Sequence, residues 1–215
     1  MRTIRVKLYK FDELNDEAKL VAIERFRDVN TDYDWYENVY EDFKMLCDTI
    51  GLTVDLKKTY FSGFYSQGDG ASFTADVYLH ELITGINEKR FLQHAPKIES
   101  EANFTPPYCD VDKRVLDLIN RDWIDISLDA EGRSRPYSTR ANFSSNYTGN
   151  ACVNYNRIEK ELSKLETWFE DVVSELDSLL YRLLEREYEY LCSDEVIAET
   201  IQANEHEFTK DGKLH

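Results

Sequence analysis

Apolar and polar positions recur with two different periods along this chain, and the changes of period separate strands from helices. Alternation with a period of two predicts a strand, because successive side chains on a strand point to opposite faces. Apolar residues three or four positions apart predict a helix with one buried face. The predicted strands cover residues 4–8, 52–56, 59–66, 71–78, 124–128, 137–147 and 207–209. The predicted helices cover residues 15–30, 34–50, 110–119, 155–191 and 193–201, with a short helix near Leu82 or residues 90–94.

This order of elements predicts an α+β fold with a mostly antiparallel sheet, helices packed on the sheet and one long C-terminal helix. The 215 residues are enough for one large domain. Within that single domain, we expect residues 1–150 to form a sheet-containing body and residues 155–191 to form the long helix. Residues 193–215 should then form a short helix followed by a strand and a tail.

The predicted long helix carries a heptad pattern that has two interpretations. Its apolar residues are spaced alternately four and three apart: Ile158, Leu162, Leu165, Phe169, Val172, Leu176, Leu179 and Leu183. In a coiled-coil dimer, this seam would join two copies of the chain. The candidate self-association residues are Leu165, Phe169, Val172 and Leu176. The alternative is packing within one chain, which is favoured because the apolar stripe widens in the second half of the helix.

Residues 61–73 form the most distinctive segment, rich in aromatic residues, serine and glycine. The composition predicts a hairpin with its turn at residues 67–70. In a functional interpretation, the turn presents hydrogen-bonding groups beside an aromatic ring, and the candidate contacts are Tyr65, Ser66, Gln67 and Asp69. In a structural interpretation, the glycines supply positive φ and Asp69 bonds to the turn backbone. Both interpretations stay open from the sequence.

Charge restricts the classes of partner. The chain has 42 acidic and 26 basic residues, a net charge of −16. Residues 11–50 have a net charge of −8 and residues 155–207 a net charge of −10, so the surplus lies on predicted helices. Such a charge repels nucleic acids and anionic membranes and attracts basic proteins. The candidate contacts on the long helix are Glu170, Asp171, Glu175 and Asp177.

The sequence contains no G-x-S-x-G or H-E-x-x-H motif, so we expect no enzymatic activity of those classes. The histidines and the four cysteines, Cys47, Cys109, Cys152 and Cys192, are scattered, which predicts reduced thiols and neither a metal site nor a cofactor. The absence of an apolar N-terminal segment and of long apolar windows predicts no signal peptide, no membrane span and a cytoplasmic location.

Three segments, residues 11–19, 62–73 and 203–212, resemble a family of phage and prophage proteins. Members of that family are often uncharacterised or labelled as the antitoxin of a toxin–antitoxin stability system. The resemblance implies a bacterial host cytoplasm and a binding role against a toxin, nuclease or defence factor. It implies no catalytic residues.

Together, these observations predict a non-enzymatic antagonist, an antitoxin or anti-defence inhibitor, that sequesters a basic partner protein. Mimicry of DNA is one form that this binding could take. One alternative function is a metal-dependent hydrolase that uses carboxylates clustered near the hairpin. Another is a structural or assembly protein that forms a homodimer through the heptad seam.

Overall fold

The structure, a computed structural model, describes residues 7–93, 104–147 and 155–215. The strands are β1 (Tyr9–Lys10), β2 (Leu52–Ser62), β3 (Gly70–Val77), β4 (Ile124–Ser134), β5 (Tyr137–Tyr147) and β6 (Glu207–Phe208). The α-helices are α1 (Asp16–Arg25), α2 (Glu37–Thr49), α3 (Leu79–Asn87), α4 (Lys113–Asn120), α5 (Tyr155–Leu191) and α6 (Asp194–Ala203). Short 3₁₀ helices span Phe11–Glu13 and Arg90–Gln93. The predicted α+β class is confirmed.

Two antiparallel sheets are present in the described residues. The larger one has the strand order β2-β3-β4-β5, and the smaller one pairs β1 with β6. In the larger sheet, the loop that joins β2 to β3 and the turn that joins β4 to β5 lie at the same end. Their closeness is evident at Gly70, where an added Cβ would lie 2.8 Å from the carbonyl oxygen of Tyr137.

The chain divides into two compact units. The first contains residues 1–37 and 184–215, and the second contains residues 38–183. The boundary therefore falls inside α5, and it does not coincide with the predicted divisions at residues 150 and 193. The first unit has its own core, in which side chains from both ends of the chain meet: Phe11, Leu14, Ala18, Ala22, Ile23, Ile197, Ile201 and Phe208.

The second unit contains the larger sheet, α2 and most of α5. The apolar residues of α2 recur at helical spacing, and Phe43 and Leu46 of the helix and Ile50 directly after it are fully buried. The ring of Phe43 packs edge-on against Phe73 of β3 with 5.2 Å between the ring centroids. Burial of these large side chains supplies the main favourable free energy of this unit.

The heptad seam of α5 packs within the chain. Leu165, Phe169, Val172 and Leu176 are fully buried, and so are Leu179 and Leu180 in the wider part of the stripe. The proposal that the first four residues join two copies of the chain is therefore corrected. Their side chains have no exposed area in the folded chain.

Several predicted boundaries change for local reasons. The predicted strand over residues 63–66 is wrong, because the backbone there bonds to a side chain of the turn. The fourth helix begins at Lys113, three residues later than predicted, and is capped by Asp112, whose carboxylate accepts from the backbone N–H of Arg114. The first helix ends at Arg25, five residues earlier than predicted. The first half of the predicted strand over residues 4–8 lies outside the described residues.

The structure also bears on the predictions for the last helix, the cysteines and membrane-spanning segments. The helix predicted over residues 193–201 corresponds to α6, and Ser193 caps it, as its hydroxyl accepts from the backbone N–H of Val196 at 3.4 Å. Cys47 and Cys109 are buried free thiols and Cys192 is a half-buried one, whereas Cys152 lies outside the described residues. Of the helices in the described part of the chain, none has both the length and the apolar content needed to cross a membrane.

Candidate functional site

The loop of residues 63–69 between β2 and β3 is held together by one carboxylate. Asp69 accepts hydrogen bonds from the backbone N–H groups of Tyr65 at 3.0 Å and Ser66 at 2.6 Å through one carboxylate oxygen. Its other oxygen accepts from the hydroxyl of Ser62 at 3.0 Å. Hydrogen bonds to a charged acceptor are stronger than neutral ones. A single side chain therefore fixes most of the loop backbone.

The long helix braces the same loop from one side. The hydroxyl of Tyr181 donates to the carbonyl oxygen of Gly63 at 3.1 Å, and its ring lies 5.5 Å from that of Phe64. Phe64 in turn stacks on Phe61 at 6.0 Å, and Phe61 meets Tyr40 of α2 edge-on at 6.3 Å. Such aromatic pairs add rigidity beyond the buried area. The loop is thus attached to both the sheet and the helices.

The side chains at the loop apex remain free of this network. Tyr65 is 79% exposed, which is the largest exposed fraction among the large hydrophobic residues described. Ser66 and Gln67 are exposed as well, and Gly68 has a φ of +97°, a backbone conformation that favours glycine. Three of the four predicted contacts of this loop are therefore accessible. Asp69 is the exception, because its carboxylate is used within the loop.

We expect replacement of Asp69 by alanine to loosen this loop while the fold is retained. The change removes all three hydrogen bonds to the carboxylate, and each bond to a charged group contributes substantially to local stability. Amide hydrogen exchange at Tyr65 and Ser66 should accelerate by about tenfold or more. The change Asp76→Ala, at an exposed position of β3, serves as the control. Equal protection of these two amides from exchange in both variants would contradict the role of Asp69 in holding the loop together.

A second attachment joins the other hairpin to α5. The carboxylate of Asp177 accepts from both the backbone N–H of Thr139, at 2.7 Å, and the hydroxyl of Thr139. That hydroxyl also accepts from the backbone N–H of Phe73 at 3.0 Å and lies 3.2 Å from the Phe73 carbonyl oxygen. Asp177 and Tyr181 stand one helical turn apart. Successive turns of α5 therefore hold the ends of both hairpins.

Asp177 is thus not the exposed contact that its position in an acidic segment predicted. Burial raises the pKa of this carboxyl to about 7, and the hydrogen bonds from Thr139 offset only part of that effect. The reason is its position on the helix face that packs against the sheet. Of the other three predicted contacts on α5, Glu170 and Asp171 are exposed. Glu175 is half-buried and pairs with Arg182 at 3.1 Å.

The acid surplus is denser in the first unit than in the second. Residues 1–37 and 184–215 contain 18 acids and 10 bases, whereas the much longer second unit contains 24 acids and 16 bases. Both units therefore have a net charge of −8. In the first unit, 16 of the 18 acids are exposed. Most acidic side chains of the first unit therefore lie on its surface.

Sequence reasoning missed two parts of the site. Nothing in the sequence indicated the roles of Tyr181 and Thr139, because these roles depend on contacts with residues far along the chain. A basic cluster at the β4–β5 hairpin consists of Arg133, Arg135 and Arg140. These arginines are exposed and form no ion pair within the described ranges.

A cleft of 530 Å³ lies between α3 and α4, with an aliphatic floor and a polar rim. Its ionisable lining residues are His80, Glu88, Lys113 and Asp117, which are one histidine, one basic and two acidic side chains. Across residues 7–93, 104–147 and 155–215, no group of three or more His, Cys, Asp or Glu side chains could hold a metal ion. The site that the described residues build most completely is therefore the 63–69 loop.

Comparison with known protein families gives a match over most of the chain. A family described as a domain of unknown function (DUF8835) matches residues 35–194, which include the 63–69 loop and the attachments of both hairpins to α5. No curated protein and no solved structure matches the chain.

Proposed function

Because the chain belongs to the DUF8835 family, for which no activity is described, we propose a function from the surface itself: the protein binds a partner protein that carries a basic surface. The 63–69 loop is the anchor of this interaction. The acidic surface of the first unit and the exposed acids Glu170 and Asp171 of α5 attract the partner.

The observation that carries this proposal is the exposure of Tyr65 on a fixed backbone. Tyrosine is enriched among the residues that dominate binding energy at protein interfaces. An anchor on a preorganised loop loses little conformational entropy on binding, so more of its contact energy appears as affinity. The three bonds to Asp69 and the contact with Tyr181 provide that preorganisation.

Electrostatics supports the basic character of the partner. The net charge of −16 steers a positively charged protein toward this one and raises the rate of association at low salt. The same charge opposes the approach of DNA, RNA or an acidic protein. A nucleic-acid-binding protein, whose own surface is basic, therefore suits this surface well.

The proposed biological role is that of an antagonist. A protein that covers the basic surface of a toxin, nuclease or defence factor blocks the access of that factor to its nucleic acid. The resemblance of residues 11–19, 62–73 and 203–212 to phage and prophage proteins labelled as antitoxins supports this role. It also supports a bacterial cytoplasm as the location.

The test is affinity capture from bacterial lysate with the wild-type chain and with Tyr65→Ala. We expect the wild type to enrich a protein of basic isoelectric point, and the variant to lose that protein by about tenfold or more. Tyr33→Ala is the matched control, since Tyr33 is also a tyrosine that is 60% exposed. Capture should weaken as salt is raised. Equal capture by wild type and Tyr65→Ala would show that the loop does not contact the partner. If no basic protein were enriched, the proposed function would be wrong.

The two alternatives from the sequence have no comparable support. The hydrolase requires carboxylates that converge with metal-binding geometry, and the described residues contain no such group. The assembly protein requires an exposed seam on α5, and the seam residues Leu165, Phe169, Val172 and Leu176 are fully buried.

A further inference from the structure

The strand β5 forms one edge of the larger sheet. It stands last in the order β2-β3-β4-β5, and all of its 11 residues pair with β4 without a register shift. In an antiparallel ladder, residues alternate between directing their N–H and C=O groups toward the neighbouring strand and away from it. The N–H of Thr139 bonds to Asp177 of α5 and therefore points away from β4. Every second residue after it, namely Ala141, Phe143 and Ser145, then has the same orientation.

These three residues offer hydrogen-bonding groups to a further strand. Within the described ranges, no hydrogen bond joins the backbone of Ala141, Phe143 or Ser145 to a group outside the sheet. All three residues are half-buried, so part of their surface reaches solvent. An exposed edge with unpaired N–H and C=O groups is a template on which another chain can pair.

The opposite edge of the same sheet is protected against such pairing, whereas β5 is not. In β2, the pairing with β3 shifts between Asp55 and Tyr60, and Lys57 and Lys58 are exposed at this irregularity. Bulges and lysines are common means by which proteins keep an edge strand from pairing. β5 contains no proline or lysine, and Arg140 is its one charged residue. Of the two edges, β5 is therefore the one suited to strand addition.

The long helix α5 runs alongside β5. Asp177 bonds to Thr139 near one end of the strand, and Glu159 accepts from the hydroxyl of Tyr147 at the other end. From Glu159 to Asp177 the helix rises by about 27 Å at about 1.5 Å per residue. From Tyr147 to Thr139 the strand extends by about 26 Å at about 3.3 Å per residue. Because the two lengths agree, the helix and the strand stay side by side between these contacts.

Two further carboxylates of α5 lie between the contacts. Glu166 and Glu170 share one stripe of the helix with Glu159 and Asp177, because the four positions differ by close to whole numbers of helical turns. The side chains of Glu166 and Glu170 are exposed, and neither forms an ion pair with a residue of the described ranges. The middle of the β5 edge is therefore flanked by two uncompensated negative charges.

The basic residues in this part of α5 lie on another side of the helix. Arg157 pairs with Asp112 at 2.6 Å, and Lys160 and Lys164 line a cleft beside residues 107–111. At about 100° per residue, these three basic positions are turned by about 100° or more from the acidic stripe. They therefore do not neutralise the stripe.

The charged residue of β5 itself lies on the other face of the sheet. Arg140 follows Thr139, whose hydroxyl bonds to Asp177 of α5, and successive side chains of a strand point to opposite faces. The residue opposite Arg140 on β4 is Glu131. The side of the edge that faces α5 thus carries negative charge.

We propose that a basic, extended segment of the partner protein adds to β5 as a further strand of the larger sheet. Strand addition supplies main-chain hydrogen bonds to Ala141, Phe143 and Ser145, and alternate side chains of the added strand face α5. Residues two apart on a strand are separated by about 6.6 Å, and Glu166 and Glu170 by about 6 Å along the helix. Lysine or arginine at alternate positions therefore matches both carboxylates.

This inference rests on the proposed function and specifies the kind of segment that the basic partner contributes. The strand β5 begins at Tyr137, whose carbonyl oxygen would lie 2.8 Å from a Cβ added at Gly70. The edge therefore starts beside the 63–69 loop, and one partner can contact both. A second copy of this chain fits the edge less well, because pairing of two β5 strands would bring together two acidic stripes on chains that each have a net charge of −16.

The test uses a synthetic peptide in which lysine and threonine alternate. One control peptide has the same sequence with methyl groups on alternate backbone nitrogens, which keeps the charge but removes the donors that strand pairing needs. The other control has glutamate in place of lysine. We expect the full chain to bind the lysine peptide, measured by fluorescence anisotropy, at least about tenfold more tightly than either control. Equal binding of the methylated or of the glutamate peptide would overturn the proposal.

Variants of the chain test the edge and the charges separately. Glu166→Gln with Glu170→Gln should weaken binding by about tenfold and reduce its salt dependence. Glu41→Gln with Asp76→Asn, which removes two charges at other exposed positions, is the matched control and should weaken binding by no more than about twofold. Ser145→Pro removes an outward N–H without removing a bond to β4, and it should also weaken binding by about tenfold. Circular dichroism checks that each variant is folded.

Two results with these variants would contradict the proposal. One is equal binding by the Glu166 and Glu170 double variant and its matched control. The other is a wild-type chain that forms dimers in sedimentation while Ser145→Pro is monomeric, which would assign the edge to a second copy of the chain. The methylated peptide still tests strand pairing if Ser145→Pro does not fold.

Failure here is distinguishable from failure of the proposed function. If the lysate experiment captures a basic protein that depends on Tyr65 but not on Ser145, Glu166 or Glu170, the function stands and the β5 edge is not the site of a partner strand. If no basic protein is captured, the function itself fails, whatever the peptide does.

Discussion

Replacing Asp177 by asparagine is expected to remove a loss of stability that the wild-type protein suffers as the pH rises from about 4 to about 7. The pKa of this carboxyl is 3.8 when unperturbed and about 7 in the folded chain. Between these two pKa values, the folded state binds a proton that the unfolded state has released. The free energy of unfolding therefore falls with rising pH in this window, by about 4 kcal/mol at most.

The hydrogen bonds around Thr139 explain how both protonation states fit the same fold. When Asp177 is ionised, the Thr139 hydroxyl donates to it and accepts from the N–H of Phe73. When Asp177 is protonated, its own hydroxyl can donate to Thr139, and Thr139 can then donate to the Phe73 carbonyl oxygen, which lies 3.2 Å away. Asparagine reproduces the neutral arrangement, with its amide N–H₂ as the donor and its carbonyl oxygen as the acceptor.

The measurement is urea unfolding of wild type and Asp177→Asn from about pH 4.5 to about pH 8.5. Above pH 7 the variant should be as stable as the wild type or more stable, and near pH 4.5 the difference should be small. Asp171→Asn, which changes an exposed carboxylate on the same helix, is the control. Its stability should depend on pH in the same way as that of the wild type. A wild-type stability curve that rises through this window, with Asp177→Asn parallel to it, would refute the assignment.

The sequence predicts the parts of this fold that depend on local periodicity. The 37-residue helix α5 follows from its heptad pattern, and the cap of α6 follows from Ser193. The strands β2 to β5 follow from alternation and from their aromatic and β-branched residues. These signals are local, because each depends on which residues lie within one or two turns or on one strand face.

The parts that could not be predicted depend on contacts between distant positions. An acid at position 177 has the same local sequence signal as Glu170 or Asp171, yet Asp177 alone turns toward a strand about forty residues earlier in the chain. Likewise, the sequence predicted Tyr65 and Asp69 equally as contacts with a partner. The structure separates them because the carboxylate closes the loop and the ring does not.

A heptad pattern such as that of α5 is compatible with two structures, a coiled-coil dimer and packing within one chain. The spacing of hydrophobic residues predicts that one face of α5 is buried, but it does not predict which surface covers that face. The widening of the stripe after residue 179 favoured the chain's own fold, and the complete burial of Leu179 and Leu180 agrees with that interpretation. A dimeric coiled coil would have needed a narrower apolar face.

Phe169→Ala is expected to destabilise the protein by about 3–5 kcal/mol, because truncation of a buried phenylalanine removes its burial energy and leaves a cavity. Phe169 is fully buried in the middle of the seam. Glu170→Ala, at the next position of the same helix but exposed, should change stability by no more than about 0.5 kcal/mol. Urea unfolding of the three proteins measures both differences.

The concentration dependence of the same unfolding curves tests where the seam packs. Because the structure buries Phe169 within one chain, the midpoint of wild-type unfolding should stay constant as the protein concentration rises about a hundredfold. If the seam instead joined two copies, the midpoint would rise with concentration, and Phe169→Ala would convert a dimer into a monomer in sedimentation. We expect neither effect, since a side chain with no exposed area has no surface left for a second copy to bury.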